Sequence, residues 1–262
     1  MTRISLLFQG KLFVYTGTWY SGETAPTQTE QTLNRHLGYA AWTADGTSWH
    51  SPVMLEGTFG HYVWRAAAFG GWAFLCGRQN PEFDVTAIGE DDSVESVMLE
   101  SDDGLIWRKR SLFQEERGDE TAFLFEPNGE VLAIGRCRPV AQFITSRPPY
   151  TDWNRRNFDR HIGGPLLETW GDRYIAGGRK SGAQVGNRGP RTALYWLHPD
   201  ALTKQGLLTE FAELPSGGDT SYPGFVQLSP IKAVVSWYSS HKRDNNEEPV
   251  TAIYMASLEI AD

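Results

Sequence analysis

The chain has 262 residues, with 24 Lys and Arg against 32 Asp and Glu, a formal net charge of −8, and 10 Trp, 10 Tyr, 13 Phe, 27 Gly and 14 Pro. The acidic excess excludes broad adhesion to nucleic acid or to an anionic membrane, because both are held through clustered Lys and Arg. No stretch sustains a helical period, and the mixture of aromatics, Gly and Pro suits short strands and tight turns, so an all-β chain forming a single domain over 1–262 is expected.

At the N-terminus, Met1–Gln9 has a short apolar run without a basic leader region, a small-residue cleavage site or a membrane-length stretch, which predicts a soluble, unexported chain. From Arg3 to Gly17 an apolar strand, a turn at Gly10 and a second apolar strand follow one another. The same hairpin pattern returns at Val63–Arg78 (turn Gly70-Gly71), Glu120–Arg136 (Asn128-Gly129), Ile162–Arg179 (Gly171) and Ser221–His241 (near Pro230). Copies recur at intervals of roughly 40 to 60 residues, too long for a lone hairpin and suited to a four-stranded blade. The predicted fold is therefore a β-propeller of four-stranded blades, five of them visible, with each hairpin as the inner half of a blade.

Two outer halves are equally legible. Gly38–Thr43 runs into the turn Ala44–Ser48, and Val94–Ser101 runs into Asp102–Ile106, each followed by Trp. Both turns fit Ser/Thr-x-Asp-Gly-x-x-Trp, at Thr43 to Trp49 and at Ser101 to Trp107. The Asp carboxylate can accept backbone N–H groups across the turn, Gly supplies a positive φ, and Trp is expected to pack between strands. Degenerate copies are read at Ser146–Trp153 and His198–Phe211, and a third strand of the last blade at Thr251–Ile260.

The paired turns resemble the Asp box of sialidases. The strings V-W-R-A-A-A-F at 63–69, D-E-T-A-F-L-F at 119–125, R-P-P-Y-T-D-W at 147–153, H-I-G-G-P at 161–165, L-P-S-G-G-D-T-S-Y-P-G at 214–224 and V-S-W-Y-S-S-H at 235–241 extend the likeness over nearly the whole chain. Together they resemble bacterial sialidase-like (BNR, Asp-box repeat) glycoside hydrolases. The resemblance implies a six-bladed parent whose N-terminal blade this chain is expected to lack. Its last blade would then keep an unpaired edge, through which the chain can form a homo-oligomer. Leu166 and Lys242 stand where these relatives often carry Asn and Glu.

Propeller topology brings the starts of inner strands and the ends of second strands to one mouth. Arg65, Glu120, His161, Asp219 and Tyr222 belong to the first set; Tyr20, Arg78, Arg136, Arg179, Tyr238 and His241 belong to the second. Gly-Arg occurs at the same blade position at Arg78, Arg136 and Arg179. Such guanidiniums either receive a carboxylate of the ligand or pair with Asp and Glu on the blade edges. Glycoside cleavage needs an acid and a nucleophile or base, for which Glu120, Asp219 and Tyr222 are the candidates, Tyr222 as the tyrosine nucleophile that the resemblance implies. Arg65, Arg78, Arg136, Arg179, His161, Tyr238 and His241 are the candidate substrate ligands, with Trp19, Trp64 and Trp237 as rings to stack on sugar. The expected ligand is an acidic or polar carbohydrate, and the alternative is a non-catalytic carbohydrate-binding or protein-interaction propeller. Cys76 and Cys137 are expected as free thiols, and neither they nor His36, His50, His61 and His198 show metal-ligand spacing, so no metal or cofactor is implied.

Overall fold

The computed structural model describes residues 3–19, 36–81 and 93–260. Tyr20 lies outside them, as does the side chain of Trp19. The architecture is all-β, a propeller built from blade-like sheets with short connections. The chain divides into two compact units, Met1–Gly135 with Ile144–Asn154, and Arg136–Phe143 with Arg155–Asp262.

In the first unit, β1 (Arg3–Phe8), β2 (Lys11–Trp19), β3 (His36–Thr43) and β4 (Val53–Met54) form one sheet in chain order. A second sheet holds β5 (Tyr62–Phe69), β6 (Trp72–Gln79), β7 (Glu95–Ser101) and β8 (Arg108–Gln114). A third begins with β9 (Thr121–Phe125) and β10 (Val131–Gly135), and the division between units runs through its outer strands, β11 (Gln142–Ser146) and β12 (Trp153–Asn157). The alternation expected of strands is clear in β1, where Ile4, Leu6 and Phe8 are buried and Leu7 is exposed. These three residues join Phe13, Tyr15, Val63, Leu75, Val97, Leu99 and Trp107 in one apolar core.

The two Asp-Gly turns close as their sequence demands. Asp45 Oδ1 accepts the N–H groups of Thr47 and Ser48, both at 2.7 Å, and Asp103 Oδ1 accepts those of Leu105 (2.7 Å) and Ile106 (2.8 Å). Those hydrogen bonds hold the Asp45 carboxyl well below the usual carboxylate range, and at Asp103 they outweigh the opposing effect of burial. The expectation for the tryptophans holds for one copy only. Trp107 is 3% exposed, whereas Trp49 is 48% exposed, so the Trp49 ring is no wedge between strands. The difference follows from what each turn meets: Gly104 of the second turn lies against Phe13 and Tyr15, whose hydroxyl donates to the Gly104 carbonyl at 3.1 Å. Gly57 (φ +77°) makes a second close approach, since a Cβ there would stand 1.9 Å from the Trp107 carbonyl oxygen.

The degenerate third turn is stapled differently. Tyr150, at positive φ, donates its hydroxyl to the Gly129 carbonyl (3.0 Å), and Trp153 Nε1 donates to the Tyr150 carbonyl (3.0 Å).

The second unit contains β13 (Gly163–Trp170), β14 (Arg173–Lys180), β15 (Arg191–Leu197) and β16 (Leu208–Leu214) in one sheet, and β17 (Thr220–Gln227), β18 (Lys232–Arg243) and β19 (Pro249–Glu259) in a sheet of three. Its core gathers Leu166, Trp170, Ile175, Leu194, Leu214, Val235 and Trp237. Hydroxyl clasps tie one blade to the next within each unit: Ser96 Oγ to Thr121 Oγ1 at 2.7 Å, and Thr192 Oγ1 to Thr220 Oγ1 at 2.8 Å. Cys76 and Cys137 are free thiols. Among the described residues no helix is long and apolar enough to cross a membrane, and no cluster of His, Cys, Asp and Glu is arranged to hold a metal ion.

Candidate functional site

Three inner strands carry a bulge at the same place. Register shifts fall between Val63 and Ala66 in β5, between Gly163 and Leu166 in β13, and between Ser221 and Gly224 in β17. An extra residue in one strand re-aims side chains and is common beside functional sites. Here the bulged residues are Trp64-Arg65, Gly164-Pro165 and Tyr222-Pro223. This feature, absent from the reading of sequence alone, sets the geometry of both units.

In the first unit Arg65 lies in the β5 bulge, and Arg78, opposite Tyr62 near the end of β6, forms an ion pair with Asp119 at 3.5 Å. Glu120 is buried directly before β9, its backbone N–H donating to the Asp119 carboxylate at 2.8 Å. His36 packs at a tilt against Tyr62 (4.7 Å between centroids, 59° between planes); burial, together with the nearby Arg78 charge, lowers its pKa to about 3.

The second unit brings together most of the predicted residues. The bulges of β13 and β17 nest: Gly164 (φ +58°) leaves room for the Tyr222 ring, which a Cβ at 164 would meet at 2.1 Å, and Ser221 Oγ donates to the Gly163 carbonyl at 2.9 Å. Ser221 and Tyr222 themselves hold positive φ (155° and 52°), a strained pair of the sort that surrounding structure must impose. Around Gly163 stand His161 Nε2, the Arg179 Cβ and Arg136 Nε, at 3.1, 3.5 and 3.9 Å from the position a Cβ would take. His161 Nδ1 lies 3.1 Å from the Cys137 carbonyl oxygen. Burial lowers its pKa; the Cys137 hydrogen bond opposes this, and the positive charges of Arg136, Arg138 and Arg179 add to the lowering.

Arg179 is held on several sides. Its Nε donates to the Thr220 carbonyl (2.7 Å), its Nη2 donates to the Tyr238 hydroxyl (2.9 Å) and pairs with Asp219 (3.0 Å), and its guanidinium lies 5.9 Å from the Tyr222 ring centre. Tyr238 packs beside Tyr222, 5.4 Å between centroids. Burial pushes the Tyr238 hydroxyl up to about 12 against the pull of Arg179, with the Asp219 carboxylate acting in the same direction as burial. Arg179 Nη2 thus reaches both the phenol and the carboxylate. Asp219 is mostly exposed while Arg179 is mostly covered, so the carboxylate fronts the solvent.

Not every candidate joins this group. His241 hydrogen-bonds Ser239 Oγ at 3.0 Å and packs on Tyr254 at 4.3 Å, and Trp237 packs on the same tyrosine, so both belong to the sheet interior and its rim. One residue that sequence reasoning passed over lies in the group, Gln184, whose Nε2 donates to the His161 carbonyl at 3.4 Å. Gln184 comes from a loop of two 3-10 turns, Gly182–Gln184 and Gly186–Arg188. Ion pairs anchor that loop, through Arg188 to Glu213 (2.9 Å) and through Lys180 at its base to Glu213 (2.8 Å) and Glu210 (2.5 Å).

No protein-family model matches the sequence, and no curated protein sequence matches it either. Solved structures do. A protein of unknown function from Dyadobacter fermentans DSM 18053 superposes with a TM-score of 0.72 at 16% identity, covering 98% of this chain and 76% of that one. Trypanosoma rangeli sialidase in complex with the inhibitor DANA gives 0.62 at 13%, over 97% of this chain and 44% of that one. An exo-1,5-alpha-L-arabinanase from a bovine ruminal metagenomic library gives 0.58 at 10%, over 96% and 91%. The chain therefore has the β-propeller fold that glycoside hydrolases of more than one kind share. At such identities the likeness is one of fold, and fold alone does not carry an activity.

Proposed function

We propose that this propeller binds an acidic or otherwise polar sugar and cleaves its glycosidic bond in the manner of a sialidase-like glycoside hydrolase, at the site carried by the second unit. The observation that carries the reading is the Arg179–Tyr238–Asp219 arrangement, in which one guanidinium nitrogen holds both a phenol and a carboxylate. In this reading Asp219 takes the Tyr238 proton as the phenolic oxygen bonds to the anomeric carbon, the bond from that carbon to the leaving oxygen breaks, the leaving oxygen takes a proton from solvent, and water then hydrolyses the tyrosyl–sugar bond. Tyr238 takes this role in preference to Tyr222, which offers its ring beside the site. Arg136 and Arg179 supply donors for a carboxylate or for sugar hydroxyls, and Nε2 of neutral His161, whose Nδ1–H is given to the Cys137 carbonyl, accepts from a sugar hydroxyl. Glu120 belongs to the first unit and is assayed in its own right.

The test is hydrolysis of a panel of aryl glycosides, including a sialoside and a uronide, by the wild type and by Tyr238→Phe, Asp219→Asn and Glu120→Gln. Turnover by the wild type on an acidic glycoside, lost in Tyr238→Phe and Asp219→Asn, is the expected result. A second reading, a binding propeller without chemistry, is favoured by the extent to which the protein itself already satisfies Arg179. Retained sugar binding with no turnover on any substrate would establish it.

A further inference from the structure

The last sheet of the second unit differs from the others. It has three strands, and among the described residues no strand pairs with the outer edge of β19. That edge is eleven residues long, Pro249–Glu259, and Glu259 at its end is its one charged residue. Natural edges of such length are ordinarily blunted by charges, bulges or a covering element. One face of β19 is occupied, since Tyr254, Ala256 and Leu258 pack on the core. The other presents Ile253, 80% exposed, and Met255, 72% exposed, and Val226 of β17 is 60% exposed in the same sheet.

The strand is also self-complementary. An antiparallel pairing of two copies centred on Tyr254 sets Ile253 opposite the second copy's Met255, and Thr251 opposite its Ser257, on the exposed face. Pro249 then meets Glu259 of the other copy. Since Arg243 pairs with Pro249 and Lys232 with Glu259 within each chain, every Glu259 would lie between its own Lys232 (3.6 Å) and the strand carrying the other copy's Arg243. No like charges face each other in that register.

We infer that β19 is the interface of a homodimer, in which two copies join antiparallel about Tyr254 into one continuous sheet with apolar cross-strand pairs. The experiment is sedimentation equilibrium on the full chain. The wild type is expected at twice the 29.4 kDa chain mass. Ile253→Lys with Met255→Lys, both at exposed positions, is expected at 29.4 kDa with an unchanged circular dichroism spectrum, because Lys would then face Lys in each pair. Mixing that variant with Ile253→Glu/Met255→Glu restores the doubled mass if residue 253 faces residue 255 across the copies. A monomeric wild type, a dimer that survives the lysine variant, or no rescue on mixing would overturn the inference.

Discussion

At the scale of single residues, the Tyr238 hydroxyl accepts from Arg179 Nη2, which also pairs with Asp219. Phe in its place keeps the ring and removes the hydroxyl, so Tyr238→Phe should abolish turnover while leaving sugar affinity within a few-fold. A kcat assay beside a binding titration separates the two. Gly164 tests the same site from its supporting side. Alanine there would press on Tyr222 in a left-handed backbone, so Gly164→Ala should weaken sugar binding at least tenfold, an effect of roughly 1.4 kcal/mol or more. His161 gives a spectroscopic handle, since the arginines help to hold its pKa down. An anionic ligand beside those arginines should raise the His161 pKa, read by NMR titration with and without an acidic sugar, and a neutral sugar should not. The candidate residues were legible as types at repeating positions, Arg after Gly and Asp before Thr. Which side chains the register shift between Ser221 and Gly224 re-aims was not, because no local sequence pattern announces a bulge.

Elements explain why two identical motifs differ in consequence. Both Asp-Gly turns use the same carboxylate staple, yet only the second is pressed into the core by Phe13 and Tyr15. Trp107→Ala should therefore cost about 3–5 kcal/mol by chemical denaturation, as large-to-small changes in cores do, while Trp49→Ala should stay within about 0.5 kcal/mol. Strand boundaries and hairpin turns were readable from alternation and from Gly at the turns. The burial of each Trp was not, since it depends on a neighbouring sheet far away in sequence. The His36 pairing with Tyr62 also lies between two sheets of the first unit, and it has a consequence for acid stability. His36 falls from an ordinary 6.5 to about 3, and His61, mainly through burial, to about 4. Between those values and 6.5 the unfolded chain holds a proton that the folded chain does not, so lowering the pH favours unfolding. Stability should be level above about pH 7 and decline below 6.5 by roughly 1.4 kcal/mol per pH unit for each histidine. His36→Phe should flatten part of that slope in urea titrations run from pH 7 to 4.

For the whole molecule, the repeat of hairpins at blade intervals made the propeller legible before any coordinates, because each inner hairpin carries its own turn glycine and apolar alternation. The site was legible only in outline. Arg78 and Arg179 each reach a carboxylate that precedes the next blade's first strand, so the two readings of such arginines, ligand holder or edge partner, describe the same side chains. In the second unit the edge partner Asp219 remains largely exposed, and under the proposed function a ligand reaches Arg136, Arg179 and Tyr238 from that side. Under the proposed function, a chain with an acidic balance that concentrates guanidiniums beside aromatic rings selects an anion locally against its own overall field. The most direct test is calorimetric titration of the wild type, Arg136→Ala and Arg179→Ala with an acidic sugar and with its uncharged amide. Saturable binding of the acid by the wild type, reduced at least tenfold by amidation and by either substitution, is the predicted result. Equal affinity for acid and amide, or binding unchanged in both variants, would contradict the account.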